Sequence, residues 1–156
     1  MGKVQRDINE KMRAILVDWL IDVHLKFKLV PETLFMCINL IDRYLCKQQV
    51  SRCKLQLVGV AALFIASKYE EIYAPDIKDF VYVCDKAYTK EEIFQMESSI
   101  LMNLSFDLTH TSPLRFLERY FQLSNVTDNE KILMLSRYFI ELSLIDVKML
   151  KYSPSL

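Results

Sequence analysis

Glycine and proline are scarce in this chain of 156 residues, which contains two glycines and four prolines. Folds rich in β-strands need these residues at their many tight turns, so their scarcity argues against such a fold. It favours long helices joined by short connections. Because 52% of the residues are hydrophobic and 26% are charged, the chain is predicted to be globular rather than disordered.

Several features that assign a chain to a functional class are also missing. Lys and Arg together number 20, and so do Asp and Glu, so no bulk positive field draws the surface toward nucleic acid. The sequence contains no run of about 18 apolar residues, which argues against a membrane span. The N-terminus lacks the architecture of a signal peptide. We therefore expect no nucleic-acid partner and no membrane partner.

The four cysteines, Cys37, Cys46, Cys53 and Cys84, show no C-x-x-C spacing. Three of them lie in or beside apolar helical runs, where a free cysteine behaves as a small hydrophobic residue. We therefore expect free thiols in a reducing compartment, and we place the protein in the nucleus and cytoplasm.

Motifs for catalysis and for cofactor binding are lacking as well. A phosphate-binding loop needs closely spaced glycines, and only Gly59 lies inside a predicted element. His24 and His110 are far apart in sequence and form no metal-ligand cluster. Paired carboxylates such as Glu70 and Glu71 lie at predicted helix ends. This position favours the interpretation that they are solvated groups that interact with the helix dipole, and not catalytic acids or bases. The sequence predicts a protein that is not an enzyme and that has no cofactor and no metal site.

Apolar residues at helical spacing fill most of the chain. Five helices are predicted first, at about 9–27, 31–47 and 54–70, then a short one after Pro75 and one that opens at Thr89. Pro31 suits a first helical position because its missing N–H would have no partner there. Thr89 and Glu92 form a capping box. The third helix is apolar nearly all round, so it is predicted to be the centre of the core.

A linker over residues 105–111 precedes a second set of helix-start signals. Ser112 and Pro113 combine an N-cap with a first-turn proline, and Thr127 with Glu130 is a second capping box. A third signal, Ser153-Pro154, stands two residues before the chain ends. The predicted class is all-α, with one domain over residues 1–108 and the start of an incomplete second domain over 109–156.

The first predicted helix is apolar on two faces. One stripe consists of Met12, Ile15, Leu16, Trp19, Leu20, Val23 and Phe27. The other consists of Ala14, Val17, Ile21 and Leu25. Such a helix is either central to the core or has one face that serves a partner.

Four segments carry a resemblance to a known family. They are MRAILVDWL at 12–20, LQLVGVAALFIASKYEE at 55–71, FVYVCDKAYT at 80–89 and FQMESSILMNLSF at 94–106. The chain resembles the cyclin box of A- and B-type mitotic cyclins over residues 7–156. The resemblance implies a five-helix cyclin box followed by the first helices of a second box. It also implies a regulatory subunit that binds and allosterically activates a cyclin-dependent protein kinase in G2/M progression.

The same resemblance implies a shallow groove that docks Arg-x-Leu motifs of substrates or inhibitors. Its residues here are Met12, Ile15, Leu16 and Trp19, with Asp22 at the rim and Gln56 from the third helix. An acidic rim residue would meet the ligand's cation. From the pattern alone, the alternative interpretation of this stripe is ordinary core.

A second implied surface contacts the kinase. Lys68 and Glu97 match a pair at the kinase interface, and an apolar patch beside them receives the kinase's regulatory helix. The residues that match the patch are Ile65, Tyr69, Leu101, Leu104, Phe106 and Leu108. The plainer interpretations are a surface ion pair worth at most about 1 kcal/mol and a linker packed on its own domain.

Arg13 and Asp42 match a pair that is structural in the family and ties the first helix to the second.

One alternative function also follows from the helical architecture. The cyclin-like box of general transcription factors binds nucleic acid and proteins, and it would be favoured by a basic face. The balanced charge of this chain disfavours that alternative.

Overall fold

The computed structural model describes residues 4–124, 130–152 and 154, and these ranges contain seven α-helices and no strand. The helices are α1 (Glu10–Phe27), α2 (Pro31–Lys47), α3 (Leu55–Glu70), α4 (Ile77–Val83), α5 (Lys90–Asn103), α6 (Pro113–Ser124) and α7 (Glu130–Ile145). A short 3-10 turn, Arg52–Lys54, leads into α3, and a second, Val147–Lys151, follows α7. The predicted all-α class is confirmed.

The helix-start signals in the sequence act as predicted where the structure describes them. Pro31 is the first residue of α2. Thr89 caps α5, since its hydroxyl accepts from the Glu92 N–H while the Glu92 carboxylate accepts from the Thr89 N–H. The predicted capping residue Thr127 and the start signal at Ser153 lie outside the described residues.

Helix α3 is the centre of the first five helices, as its composition predicts. Twelve of its sixteen residues are buried, and it packs against α1, α2, α4 and α5. Its C-terminal neighbour Glu71 also serves α2, whose own N-cap Val30 offers no side-chain acceptor. The Glu71 carboxylate accepts from the Val30 N–H at 2.8 Å and from the Thr33 hydroxyl at 2.6 Å. The end of α3 therefore fixes the start of α2.

The chain forms two compact units that divide between Thr109 and His110, whereas the sequence places the boundary between 108 and 109. The first unit contains α1 to α5. In the second, α6 and α7 pack against each other. Helix α6 begins at Pro113 and the Ser112 hydroxyl accepts from the Leu114 N–H at 3.3 Å, as the Ser-Pro signal predicts.

Candidate functional site

An open cavity of about 370 Å³ lies where α1 passes the start of α3. Its lining residues are Met12, Ile15, Leu16 and Trp19 from α1, Leu55 and Gln56 from α3, and Arg52 from the turn before α3. The α1 residues come together because offsets of three and four place them on one helix face. Five of the six residues predicted for a docking groove therefore surround one cavity. We call this cavity the docking groove, after the function that the resemblance implies for these residues.

The apolar side chains of the docking groove lie at different depths. Ile15 is 61% exposed and stands at the rim, whereas Leu16 is only 6% exposed and forms the floor. Leu16 is backed by Gly59 on α3. The stripe is thus neither pure core nor pure surface, and it presents an apolar floor with a raised apolar edge.

The charge that lines the docking groove differs from the prediction. Asp22 is exposed on α1, one turn beyond Trp19, and it is not among the described residues that line the cavity. Arg52 is the one charged side chain among the lining residues. Sequence reasoning missed Arg52 because it precedes α3 and belongs to no helical stripe. It also missed Leu55, although its position next to Gln56 gave a usable signal.

A second surface joins the end of α3 to the middle of α5. The Lys68 ammonium group forms an ion pair with the Glu97 carboxylate, so the two matched residues lie together. The same ammonium lies 4.1 Å from the centroid of the Phe64 ring. The Lys68 side chain is 44% exposed and the Glu97 side chain 12% exposed, so the pair is open to a partner mainly through its cation.

Of the six apolar residues predicted for this surface, four are at least partly exposed and two are buried. Tyr69 and Phe106 are exposed, at 60% and 66%, and Leu101 and Leu108 are half-buried. Ile65 and Leu104 are buried, so they support the surface from beneath and do not form part of it. We call Lys68, Tyr69, Glu97, Leu101, Phe106 and Leu108 the α3–α5 surface.

Phe106 is held outward by an unusual backbone. Ser105 and Phe106 have φ values of 55° and 56°, in the left-handed region that side chains other than glycine rarely occupy. The Phe106 N–H donates to the Leu101 carbonyl at 2.9 Å, which fixes the turn directly after α5. The exposed Phe106 is thus fixed directly after α5 at an energetic cost to the backbone.

Phe94 extends the α3–α5 surface and the buried Phe64 supports it from beneath, and sequence reasoning missed both. The Phe64 ring lies 6.0 Å from that of Phe94, which is 43% exposed one turn before Glu97. Phe64 was missed because the continuous apolar pattern of α3 hides which residues face its edge. Large exposed apolar side chains that lie together often mark an interaction site.

The predicted structural pair lies between α1 and α2. Arg13 Nε and Nη2 donate to Asp42 Oδ1 and Oδ2, each at 2.7 Å, and the Arg13 side chain is fully buried. Neither residue lines the docking groove. Their geometry ties two helices together in the interior.

Cys37 and Cys84 are buried free thiols in the core. Burial, together with the nearby Asp42 charge, raises the pKa of the Cys37 thiol far above its usual range. Burial and then Asp85 raise the pKa of Cys84 to about 11. Both thiols are therefore protonated and unreactive at neutral pH. Among the described residues no cluster of three potential metal ligands occurs, and no helix is long and apolar enough to cross a membrane.

Comparison with known proteins matches both units. The family described as the cyclin N-terminal domain matches residues 1–109, and the cyclin C-terminal domain matches residues 111–156. The G2/mitotic-specific cyclin-B2 of Homo sapiens is 53% identical over 150 residues, which cover 96% of this chain and 37% of the relative. Cyclin-B2-1 of Oryza sativa subsp. japonica is 51% identical over 152 residues, which cover 97% of this chain and 36% of the relative. The chain thus spans little more than a third of the length of these relatives.

Two solved structures share the fold. A viral cyclin from herpesvirus saimiri matches with a TM-score of 0.83 at 24% identity, over 96% of this chain and 66% of that chain. A chain of the CAK complex from Chaetomium thermophilum bound to ATP-gamma-S matches with a TM-score of 0.68 at 20% identity, over 98% of this chain and 52% of that chain. At these identities the likeness concerns the fold alone.

Proposed function

The chain belongs to the cyclin family, and on that basis we propose that it is a regulatory subunit and not an enzyme. It binds a cyclin-dependent protein kinase, activates it allosterically, and docks substrates or inhibitors that carry an Arg-x-Leu motif during G2/M progression. The observation that carries this proposal is the presence of two separate surfaces on one helical unit. One is an open groove between α1 and α3, and the other is the α3–α5 surface.

The α3–α5 surface is suited to hold a mobile helix of a kinase. Tyr69 and Phe106 offer exposed apolar area, and the ion pair of Lys68 with Glu97 positions donors and acceptors beside it. Phosphoryl transfer by a kinase requires that a lysine–glutamate ion pair be in place, which depends on the position of the kinase's regulatory helix. A surface that contacts only the inward position of that helix shifts the kinase toward its active state.

The docking groove is suited to an extended segment with one apolar anchor. A leucine side chain that leaves water for a floor formed by Leu16, with Trp19 beside it, gains about 1.5–3 kcal/mol. That gain is modest, but docking one part of a substrate raises the local concentration of its phosphorylation site at the kinase. The groove thereby increases selectivity without any catalytic group.

We assign the arginine of the docked motif to Asp22. Asp22 follows Trp19 by three residues and so projects from the same face of α1, outside the cavity. The contact is exposed and therefore contributes at most about 1 kcal/mol. In this assignment the leucine supplies most of the affinity, and the arginine sets the direction of the segment.

Co-purification with a cyclin-dependent kinase tests the kinase part of the proposal. The wild-type chain is expected to retain the kinase, and Lys68→Ala is expected to lose it. Lys90→Ala is the matched control. Lys90 is the first residue of α5, and its exposed side chain forms an ion pair with Glu91 at 3.7 Å. Retention by Lys68→Ala equal to that by Lys90→Ala would contradict the assignment of the α3–α5 surface.

A further inference from the structure

We propose that Gly59 sets the depth of the docking groove and thereby selects the size of the apolar side chain that it accepts. This inference rests on the docking function proposed above. Gly59 does not line the groove. It acts through Leu16, the floor residue, and is therefore a positioning residue and not a contact residue.

The three atoms nearest to a Cβ built at Gly59 all belong to Leu16. A Cβ atom added at this position would lie 2.8 Å from Leu16 Cδ1 and 3.4 Å from both Leu16 Cδ2 and Leu16 Cγ. The shortest of these distances is not compatible with unperturbed packing. Leu16 therefore occupies the space that the Cβ atom of any other residue at position 59 would need.

A glycine in the middle of a buried helix is unfavourable for stability, because it increases the entropy lost on folding relative to alanine. Here its absence of a side chain allows α1 to approach the backbone of α3 closely. The other side of α3 is also occupied, since the Cys37 thiol on α2 lies 3.9 Å from the Gly59 carbonyl oxygen. Helix α3 therefore has little room to move away from Leu16.

A side chain at position 59 would push Leu16 toward the groove. The residues next to Leu16 on α1 that face the core, Val17 and Leu20, are fully buried, so the interior offers no space for a displaced isobutyl group. The open side of Leu16 is the cavity that it lines. Because the clashing atoms are at the free end of a flexible side chain, Gly59→Ala is expected to make the groove shallower while the fold persists.

Peptide binding to the full chain tests this inference directly. The probes are a fluorescent Arg-x-Leu peptide and the same peptide with valine in place of the leucine. Gly59→Ala is expected to weaken binding of the leucine peptide by about tenfold and that of the valine peptide by less than about threefold. The preference for leucine over valine therefore falls, which a general loss of stability would not produce.

The variant Leu16→Val supplies the matched background, because valine lacks the Cδ1 atom that meets the new Cβ. In this background Gly59→Ala is expected to change affinity for the leucine peptide by less than about twofold. An equal loss of both peptides in both backgrounds, or unchanged binding by Gly59→Ala, would overturn the inference. Failure of the folded wild-type chain to bind the leucine peptide would instead overturn the docking function on which the inference rests.

Discussion

Arg13 on α1 is fully buried and donates two hydrogen bonds to Asp42 on α2, from Nε to Oδ1 and from Nη2 to Oδ2, each 2.7 Å long. The two parallel bonds satisfy both carboxylate oxygens and fix the guanidinium plane. The Asp42 side chain is 13% exposed, so both charges are largely removed from water. Each charge is therefore compensated directly by the other.

Asp42→Ala is expected to destabilise the chain by about 3–5 kcal/mol, because it removes the carboxylate that neutralises the buried Arg13 charge. Folding should fail before recognition does. Urea unfolding followed by circular dichroism measures this change. The matched control is Asp107→Ala, which removes an exposed partner 3.0 Å from Arg43 and should cost less than about 1 kcal/mol. Equal free energies of unfolding for the two variants would show that the buried pair contributes no more to stability than the exposed pair does.

We expect the imidazole of His24 to make the free energy of unfolding depend on pH. It is buried near the end of α1, and its Nδ1 has no hydrogen-bond partner among the described residues. Burial lowers the pKa of His24 below its usual value, and the nearby Glu71 carboxylate offsets part of that effect. The unfolded chain therefore binds a proton more readily than the folded chain does.

From this sign we expect the His24 contribution to be complete above about pH 6.5 and to be lost as the pH falls below that value, by at most about 1.4 kcal/mol per pH unit. His24→Gln should flatten this part of the profile. The measurement is the free energy of unfolding in urea at several pH values between 5 and 8. Parallel profiles for the wild-type chain and His24→Gln would contradict the assignment.

The turn after α5 stores backbone strain that glycine would relieve. Ser105 has a φ of 55°, a conformation that costs a residue other than glycine about 1–2 kcal/mol. Since glycine also increases the entropy of the unfolded chain, Ser105→Gly should stabilise by a net amount of about 0.5–1 kcal/mol. Ser98→Gly, at an exposed position inside α5, should destabilise by a similar amount. Thermal unfolding shifts of the same sign for both variants would refute this explanation.

The helices of the first unit were predictable because their signals are local. Pro31 marks the start of α2, and the capping box of Thr89 with Glu92 marks the start of α5. Each signal lies within a few residues of the helix start that it predicts. The continuous apolar pattern of α3 predicted its central position for a similar reason. Each of these predictions needs only the spacing of side chains along one helix.

The depth of each surface was not predictable, because it depends on how helices pack. Ile65 and Leu104 were expected at the kinase surface, yet they are buried where α3 and α5 meet. Arg52 was not predicted and reaches the docking groove from a turn, whereas Asp22 was predicted at the rim and does not line the cavity. Neither the family resemblance nor the periodicity shows which residues of one helix are buried by another helix. The relation of Gly59 to Leu16 likewise appears only once α1 and α3 are placed together.

The most direct test of the proposed function measures the activity of a cyclin-dependent kinase toward two peptides that differ only in a distal Arg-x-Leu motif. With the wild-type chain, activity should rise toward both peptides, with a higher kcat/KM for the peptide that carries the motif. Trp19→Ala should abolish this preference, and Lys68→Ala should abolish activation of both. A folded, monodisperse wild-type chain that raises activity toward neither peptide, at concentrations far above that of the kinase, would contradict the account.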